Sequence, residues 1–351
     1  MLITGGAGFI GSNLAVSFKQ KYSELRVIVL DNLKRRGSEL NIKRLKESRI
    51  EFIHGDTRNQ EVLELEDKID LLLECSAEPS VLSGYGESPA SIISTNLVGT
   101  INCFELARKN NADVMFLSTS RVYPYNVINN IKTIEADTRF EWAEVQDIKI
   151  AGWSKYGIDE DFINRGSKSM YGATKLCSEM ILQECISMYG MKGVINRCGA
   201  IAGPWQFGKA DQGVFTFWML AHYFKKQLKY IGFGGKGKQV RDLLHIDDLF
   251  VLLDLQIRNI DNLNGSIYNV GGGEINLSLF ETTQLCESIT GNRITIKSEP
   301  TARHADLIIY KSNNQRISSI LNWKPERNAE RILNDIYLWI RDNEKSLTTL
   351  I

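Results

Sequence analysis

The sequence predicts an α/β protein, a doubly wound parallel sheet with a smaller lobe at its C-terminal end. Three observations predict it. Short apolar runs alternate with helical patterns through the first half of the chain. Those runs stay apolar throughout instead of alternating, as strands covered on both faces do. A glycine cluster joins the first run to the first helix.

Taken in order, the expected strands are residues 2–4, 26–30, 51–54, 71–75, 113–117 and 193–197. The first closes on Thr4 and the second, Val27-Ile-Val-Leu, on Asp31. The third ends at His54-Gly55-Asp56, and the fifth breaks into hydroxyls at Ser118, Thr119 and Ser120. Helices are expected over 12–22, 60–67, 91–110 and 171–189, with a last one over 329–343. After Gly199 the rhythm changes, with Gly203-Pro204, the glycines of 232–237 and Gly271-Gly272-Gly273 separating shorter elements. We therefore expect a dinucleotide-binding domain over 1–190 and a partly interleaved substrate lobe over 191–351. The sixth strand, near 193–197, is expected to join the first sheet.

The charge balance narrows the partners. Lys+Arg and Asp+Glu both total 42 among 351 residues, so no basic field exists to recruit nucleic acid or an anionic membrane. Any anionic ligand must be held by local groups. Cys75, Cys103, Cys177, Cys185, Cys198 and Cys286 have no paired spacing and read as small buried hydrophobes. His54, His222, His245 and His304 show no metal spacing and read as structural, with no metal site expected. The chain opens directly into a strand and has no apolar run of membrane-spanning length, so a soluble, cytoplasmic protein is expected.

Gly5, Gly8 and Gly11 form a G-x-x-G-x-x-G loop, and Gly6, Gly8 and Gly11 also satisfy G-x-G-x-x-G. Such glycines permit a tight turn, backbone approach to a pyrophosphate and close packing of helix on strand. A helix starting at Phe9 and Ile10 aims its free N–H groups and positive dipole end at the phosphates. Asp31 is placed to accept hydrogen bonds from an adenosine ribose and to repel a 2′-phosphate, which favours NAD over NADP. Lys34, Arg35 and Arg36 keep NADP open, since they can neutralise that phosphate. Asp56 either meets the adenine edge or caps its strand end. Ligands of open sheets bind outside the carboxyl ends of strands. Asn32, Thr57, Ser76, Ala77, Glu78, Ser118 and Cys198 are therefore further candidate cofactor contacts, with Asn96 on the following helix.

Tyr171 and Lys175 stand four residues apart, hence on one helical face. A phenol with an ordinary pKa near ~10 is a poor base at neutral pH. The Lys175 ammonium, with the charge of an oxidised nicotinamide, is expected to lower it. Both residues then belong to the cofactor and catalytic sets together. A hydroxyl from 118–120 completes the constellation by orienting the reacting alcohol, unless it only caps the turn.

Together these residues resemble the extended short-chain dehydrogenase/reductase family, with its Rossmann-type domain, and specifically its NAD-dependent nucleotide-sugar epimerases and dehydratases. The resemblance spans almost the whole chain. It rests on the glycine loop, on Thr119, Tyr171 and Lys175, and on Arg241-Asp-x-x-His245. It implies that Thr119, rather than Ser118 or Ser120, is catalytic. It further implies that Arg241 and Arg303 hold the substrate's diphosphate, that NAD stays bound and is recycled, and that the chain forms a homodimer or homotetramer through the helices bearing Asn96 and Tyr171.

Two departures sort the family members. Ser120-Arg121 stand where 4,6-dehydratases carry an Asp-Glu pair, which removes the agent of water elimination and makes Arg121 a candidate substrate contact. Ala200 stands where UDP-galactose-type 4-epimerases carry asparagine. The sequence is most similar to CDP-tyvelose (CDP-paratose) 2-epimerases. It shares Gln206-Phe207, Asp211-Gln212-Gly213, Gln239 before Arg241, and an insertion containing Glu135-x-x-Thr-Arg139 and Gly157-Ile-Asp-Glu160. Gln206, Asp211, Gln212, Gly213 and Gln239 thereby become candidate substrate contacts. The implied reaction is epimerisation at C2 of a CDP-hexose. A UDP-sugar 4-epimerase, a nucleotide-sugar dehydrogenase or dehydratase, and a non-catalytic nucleotide sensor are the alternatives.

Overall fold

The computed structural model describes residues 1–65, 67–147, 149–209 and 212–349. Seven parallel strands form the central sheet: β1 (Leu2–Thr4), β2 (Ile28–Asp31), β3 (Glu51–His54), β4 (Leu71–Glu74), β5 (Asp113–Thr119), β6 (Gly193–Cys198) and β7 (Ile267–Val270). Their spatial order is β7-β6-β5-β4-β1-β2-β3. The chain winds outward from β1 through β3, then returns to place β4 against the other side of β1. This reversal opens a crevice at the carboxyl ends of β1 and β4, where ligands of such sheets bind.

Strand alternation supplies both covered faces. Ile3, Leu73, Met115 and Leu117 enter one apolar cluster, while Leu2, Leu72, Val114 and Phe116 enter the other. Helices α1 (Phe9–Lys21) and α6 (Ile246–Arg258) feed the first; α3 (Gly99–Asn110) and α4 (Met170–Tyr189) feed the second. Between α1 and α3 lies α2 (Asn41–Glu47), beside the edge strand β3. β3 carries exposed ends, so the expectation of a uniformly apolar strand fails at this sheet edge.

A third apolar cluster builds the C-terminal lobe from α5 (Val214–Tyr223), α7 (Leu279–Thr290) and α8 (Ala329–Asp342). The lobe's three-stranded sheet joins Asn276–Ser278, Val240–Asp242 and Ile309–Tyr310. The insertion before α4 folds into two hairpins and docks on this lobe. Arg139 donates to Glu281 Oε1 at 2.7 Å and Asn276 Oδ1 at 2.6 Å, and Glu135 pairs with Lys236 and Lys238. Glu160 accepts the Asn269 N–H at 2.7 Å. These motif residues fasten the insertion.

Three local expectations are corrected. Within the helix expected over 60–67, Gln60–Leu63 form a short 3-10 turn, whose start is capped by Asn59. The helix expected over 91–110 is interrupted by a π-helical segment, Ser94–Val98, so α3 proper begins at Gly99. Cys177 is exposed rather than buried. Among the described residues, no helix is long and apolar enough to cross a membrane, and no three His, Cys, Asp or Glu side chains gather as a metal site.

Candidate active site

A cavity of about 920 Å³ occupies the crevice between the sheet and the lobe. At one end lies the glycine loop. α1 begins at Phe9 behind Gly8, with no side-chain cap and no acidic residue in its first turn, so its first N–H groups face the cavity uncapped. Gly11 is required for packing, because a Cβ there would stand 2.4 Å from the Gly5 carbonyl oxygen. Gly5, Gly8, Phe9, Ile10 and Gly11 all line this end.

Asp31 lies at the β2 terminus beside the loop. Its carboxylate accepts the N–H of Ala7 at 3.1 Å and of Leu33 at 2.8 Å, and burial raises its pKa above the ordinary value. Of the neighbouring cations, Arg35 donates to Phe207 O at 2.7 Å and to the Gln212 side chain, Arg36 donates to Thr349 O at 2.8 Å, and Lys34 lines the cavity. An uncapped helix start with a carboxylate beside it fits the pyrophosphate and adenosine ribose of NAD. Asp31→Ala is expected to weaken NAD binding and narrow its preference over NADP, measured by titrating the protein with both. An unchanged preference would remove Asp31 from the ribose site.

Asn32, Asp56 and Thr57 line the same end, and Asp56 takes hydrogen bonds from Arg58 and Asn32. The Arg58 guanidinium holds the Asp56 carboxyl well below the usual carboxylate range. Ser76, Ala77, Glu78, Ser118 and Cys198 line the cavity floor. The Ser118 hydroxyl itself turns away and donates to Glu179. Burial pushes the Cys198 thiol up to about 12, so it stays neutral. Asn96 is a correction. It is fully buried and clamps the backbone of Glu78 in both directions, at 2.7 and 3.0 Å, and it does not line the cavity. Bonded to this backbone and outside the cavity lining, the side chain supports the cavity wall.

Tyr171 enters from the first turn of α4, which Ser169 caps by accepting the Gly172 N–H at 3.2 Å. Gly172 lets this turn press on the end of β5, since a Cβ there would lie 2.0 Å from the Arg121 carbonyl oxygen. That approach brings Tyr171 and Thr119 to one wall. Thr119 also caps its own turn, accepting the Arg121 N–H at 3.2 Å. One helical turn on, Lys175 is 2% exposed, with Nζ 4.5 Å from the Phe116 ring centroid. Lys175 pulls the Tyr171 pKa down, as expected, but in the protein alone burial outweighs it. Burial holds the phenol above its ordinary value, while Lys175, Thr119 and Arg121 pull against it.

Arg121, Arg241 and Arg303 line the far end. Arg241 pairs with Asp306 at 2.7 Å, and Arg121 donates to Ala305 O at 3.0 Å. Burial, then the charge of Arg241, pushes Arg121 down to about 10. Gln206, Gln212, Gly213 and Gln239 also line the cavity. Gln206 is engaged with Ile201 O and Thr216, and Gln239 donates to Ile231 O, so both side chains shape the lobe's own loops. Asp211 lies outside the described residues. The Phe207 ring packs on Gly37, drawing the 205–209 segment across the cofactor end.

Sequence reasoning missed Glu74, Glu179 and the partner role of Asp306. A carboxylate ending the apolar run Leu71-Leu72-Leu73 was the available signal for Glu74. Glu179 lies inside a helix and carried none. His304 stacks on Tyr85 with ring centroids 4.2 Å apart and borders the arginine end, so its structural reading gains an aromatic partner.

The profile of the NAD dependent epimerase/dehydratase family matches residues 1–271. A CDP-paratose 2-epimerase from Salmonella typhi is 30% identical over 348 residues, covering 97% of this chain and 98% of that protein. A UDP-glucose 4-epimerase from Cyamopsis tetragonoloba is 25% identical, covering 98% and 95%. The crystal structure of a UDP-glucuronic acid 4-epimerase from Bacillus cereus, with UDP-glucuronic acid and NAD, shares the fold at a TM-score of 0.79. It is 24% identical and covers 97% of this chain and 98% of that one.

Proposed function

Since this chain belongs to the NAD dependent epimerase/dehydratase family, and is an NAD-dependent enzyme of nucleotide-sugar chemistry, we propose that it epimerises C2 of a CDP-activated hexose. The observation that carries an epimerase reading is what surrounds the phenol. Thr119, Lys175 and Arg121 face Tyr171, and positions 120 and 121 hold no carboxylate to abstract a C5 proton or expel water. The CDP and C2 assignments are supported by the full-length likeness to the Salmonella typhi enzyme.

The glycine loop, the α1 N-terminus and Asp31 hold NAD, which supplies a reversible hydride acceptor when bound. The Tyr171 phenolate takes the proton of the C2 hydroxyl, which Thr119 orients. Lys175 and Arg121 stabilise the phenolate charge. Arg241 and Arg303 grip the diphosphate by charge-assisted bonds while the 2-keto sugar turns. Tyr171 then returns its proton as the carbonyl is reduced on the opposite face. One carbon is oxidised and then reduced, so the reaction is redox-neutral.

A substrate carrying deuterium at C2 tests this. The label is expected to stay at C2 in the product, with no NADH released during turnover. Loss of label to water, or steady NADH accumulation, would refute the proposal.

A further inference from the structure

Leu71-Leu72-Leu73 runs through the middle of the sheet and ends on a carboxylate, Glu74, which is 0% exposed. Glu74 pairs in register with Thr4 on β1 and with Phe116 on β5. Its side chain takes the Thr4 hydroxyl at 3.4 Å, the Ser76 hydroxyl and, at 3.4 Å, the Lys175 ammonium. Lys175 thus rests on two adjacent sheet positions, a carboxylate and an aromatic face. An ionised carboxylate is costly in a sheet interior, and a well-packed apolar residue often serves stability as well there. Packing alone gives no reason for this one.

We propose that Glu74 is a positioning residue for proton transfer, holding the Lys175 ammonium in place and setting how strongly it acts on the Tyr171 phenol. The inference rests on the reading of Tyr171 as proton acceptor. Two consequences of the carboxylate act together. Its contact fixes where the ammonium sits, and its negative charge offsets part of that ammonium's field at the phenol. Removing that negative charge leaves the Tyr171 phenol under more of the Lys175 field, which favours the phenolate at lower pH.

The other groups facing the couple come from every neighbouring element. Arg121 from the turn after β5 favours the phenolate. The thiols of Cys75, Cys103 and Cys198, from the end of β4, from α3 and from the end of β6, are pushed up by burial and stay neutral. Glu179, one turn along α4, is committed to Arg197. Glu74 is therefore the carboxylate in contact with Lys175 among the described residues.

The test is a tyrosinate absorbance titration of the NAD-loaded protein, read as the difference from its Tyr171→Phe counterpart. That subtraction isolates one of the twelve tyrosines and needs no sugar substrate. In E74Q, which keeps the acceptor for Thr4 and Ser76, the Tyr171 titration is expected about one pH unit below wild type. E74D, with its charge retracted by one methylene, is expected between the two. A wild-type difference trace with an unmoved E74Q trace overturns this inference alone. If E74Q proves insoluble, a coincident E74D trace does the same. A wild-type difference trace without phenol titration overturns the reading of Tyr171, and this inference with it.

Discussion

Tyr171→Phe is expected to lower turnover by ~10²–10⁴-fold while the purified protein keeps its NAD. The substitution deletes the oxygen proposed to exchange a proton with the substrate and leaves the ring that fills the wall between Thr119 and Lys175. A loss of this size corresponds to about 3–5 kcal/mol of transition-state stabilisation. Cofactor content after purification separates loss of chemistry from loss of the site. Near wild-type turnover would remove Tyr171 from the reaction. The pH dependence has a definite sign. The proposed base acts as phenolate, and burial holds the Tyr171 pKa above the ordinary value, so activity is expected to rise with pH through the neutral range.

The second large effect concerns stability. Glu179 is 1% exposed, Arg197 4%, and they meet at 2.7 Å behind the catalytic wall. Ser118 and Tyr123 extend the network, the first donating to Glu179 and the second accepting from Arg197 at 3.1 Å. Burial alone would depress the Arg197 pKa, but the bonds and charge of Glu179 more than reverse that. Glu179→Ala leaves a guanidinium uncompensated between β5, β6 and α4, at an expected cost of ~3–5 kcal/mol. That is a large share of a typical total of ~5–15 kcal/mol. Denaturant melts would show it as an early midpoint. Replacing both partners, as Glu179→Leu with Arg197→Met, is expected to recover most of the loss, because no unpaired charge remains. Equal midpoints for wild type and Glu179→Ala would contradict this account of the network.

What the sequence made legible follows from local rules. Strands β1, β2, β4 and β5 are apolar runs with their own stop signals, whereas β7, Ile-Tyr-Asn-Val, was not expected; the glycine loop is a contiguous motif whose mechanism requires strand, turn and helix in that order. Tyr171 and Lys175 are readable because helical spacing alone puts them on one face. The missed residues depend on contacts between distant segments. Glu74 meets Lys175 across 101 positions of chain, and Arg241 meets Asp306 across 65. The place of Asn96 behind the cavity wall was not legible for the same reason, since its two bonds go to a backbone eighteen residues away. Within the helix expected over 60–67, only the turn Gln60–Leu63 forms among the described residues, too short a stretch to offset the cost of helix nucleation. Position 121 was legible as a departure, yet its cost in burial and its closeness to Tyr171 emerge only once Gly172 lets α4 press on the end of β5.

The most direct measurement is proton NMR of the products after incubating the NAD-loaded protein with CDP-, UDP-, GDP- and dTDP-hexoses in parallel. Redox-neutral inversion at C2 of the CDP-sugar, seen as a change between axial and equatorial coupling at that carbon, is the expected result. Inversion at C4, a 4-keto-6-deoxy product, or no conversion of the CDP-sugar beside conversion of another would contradict it.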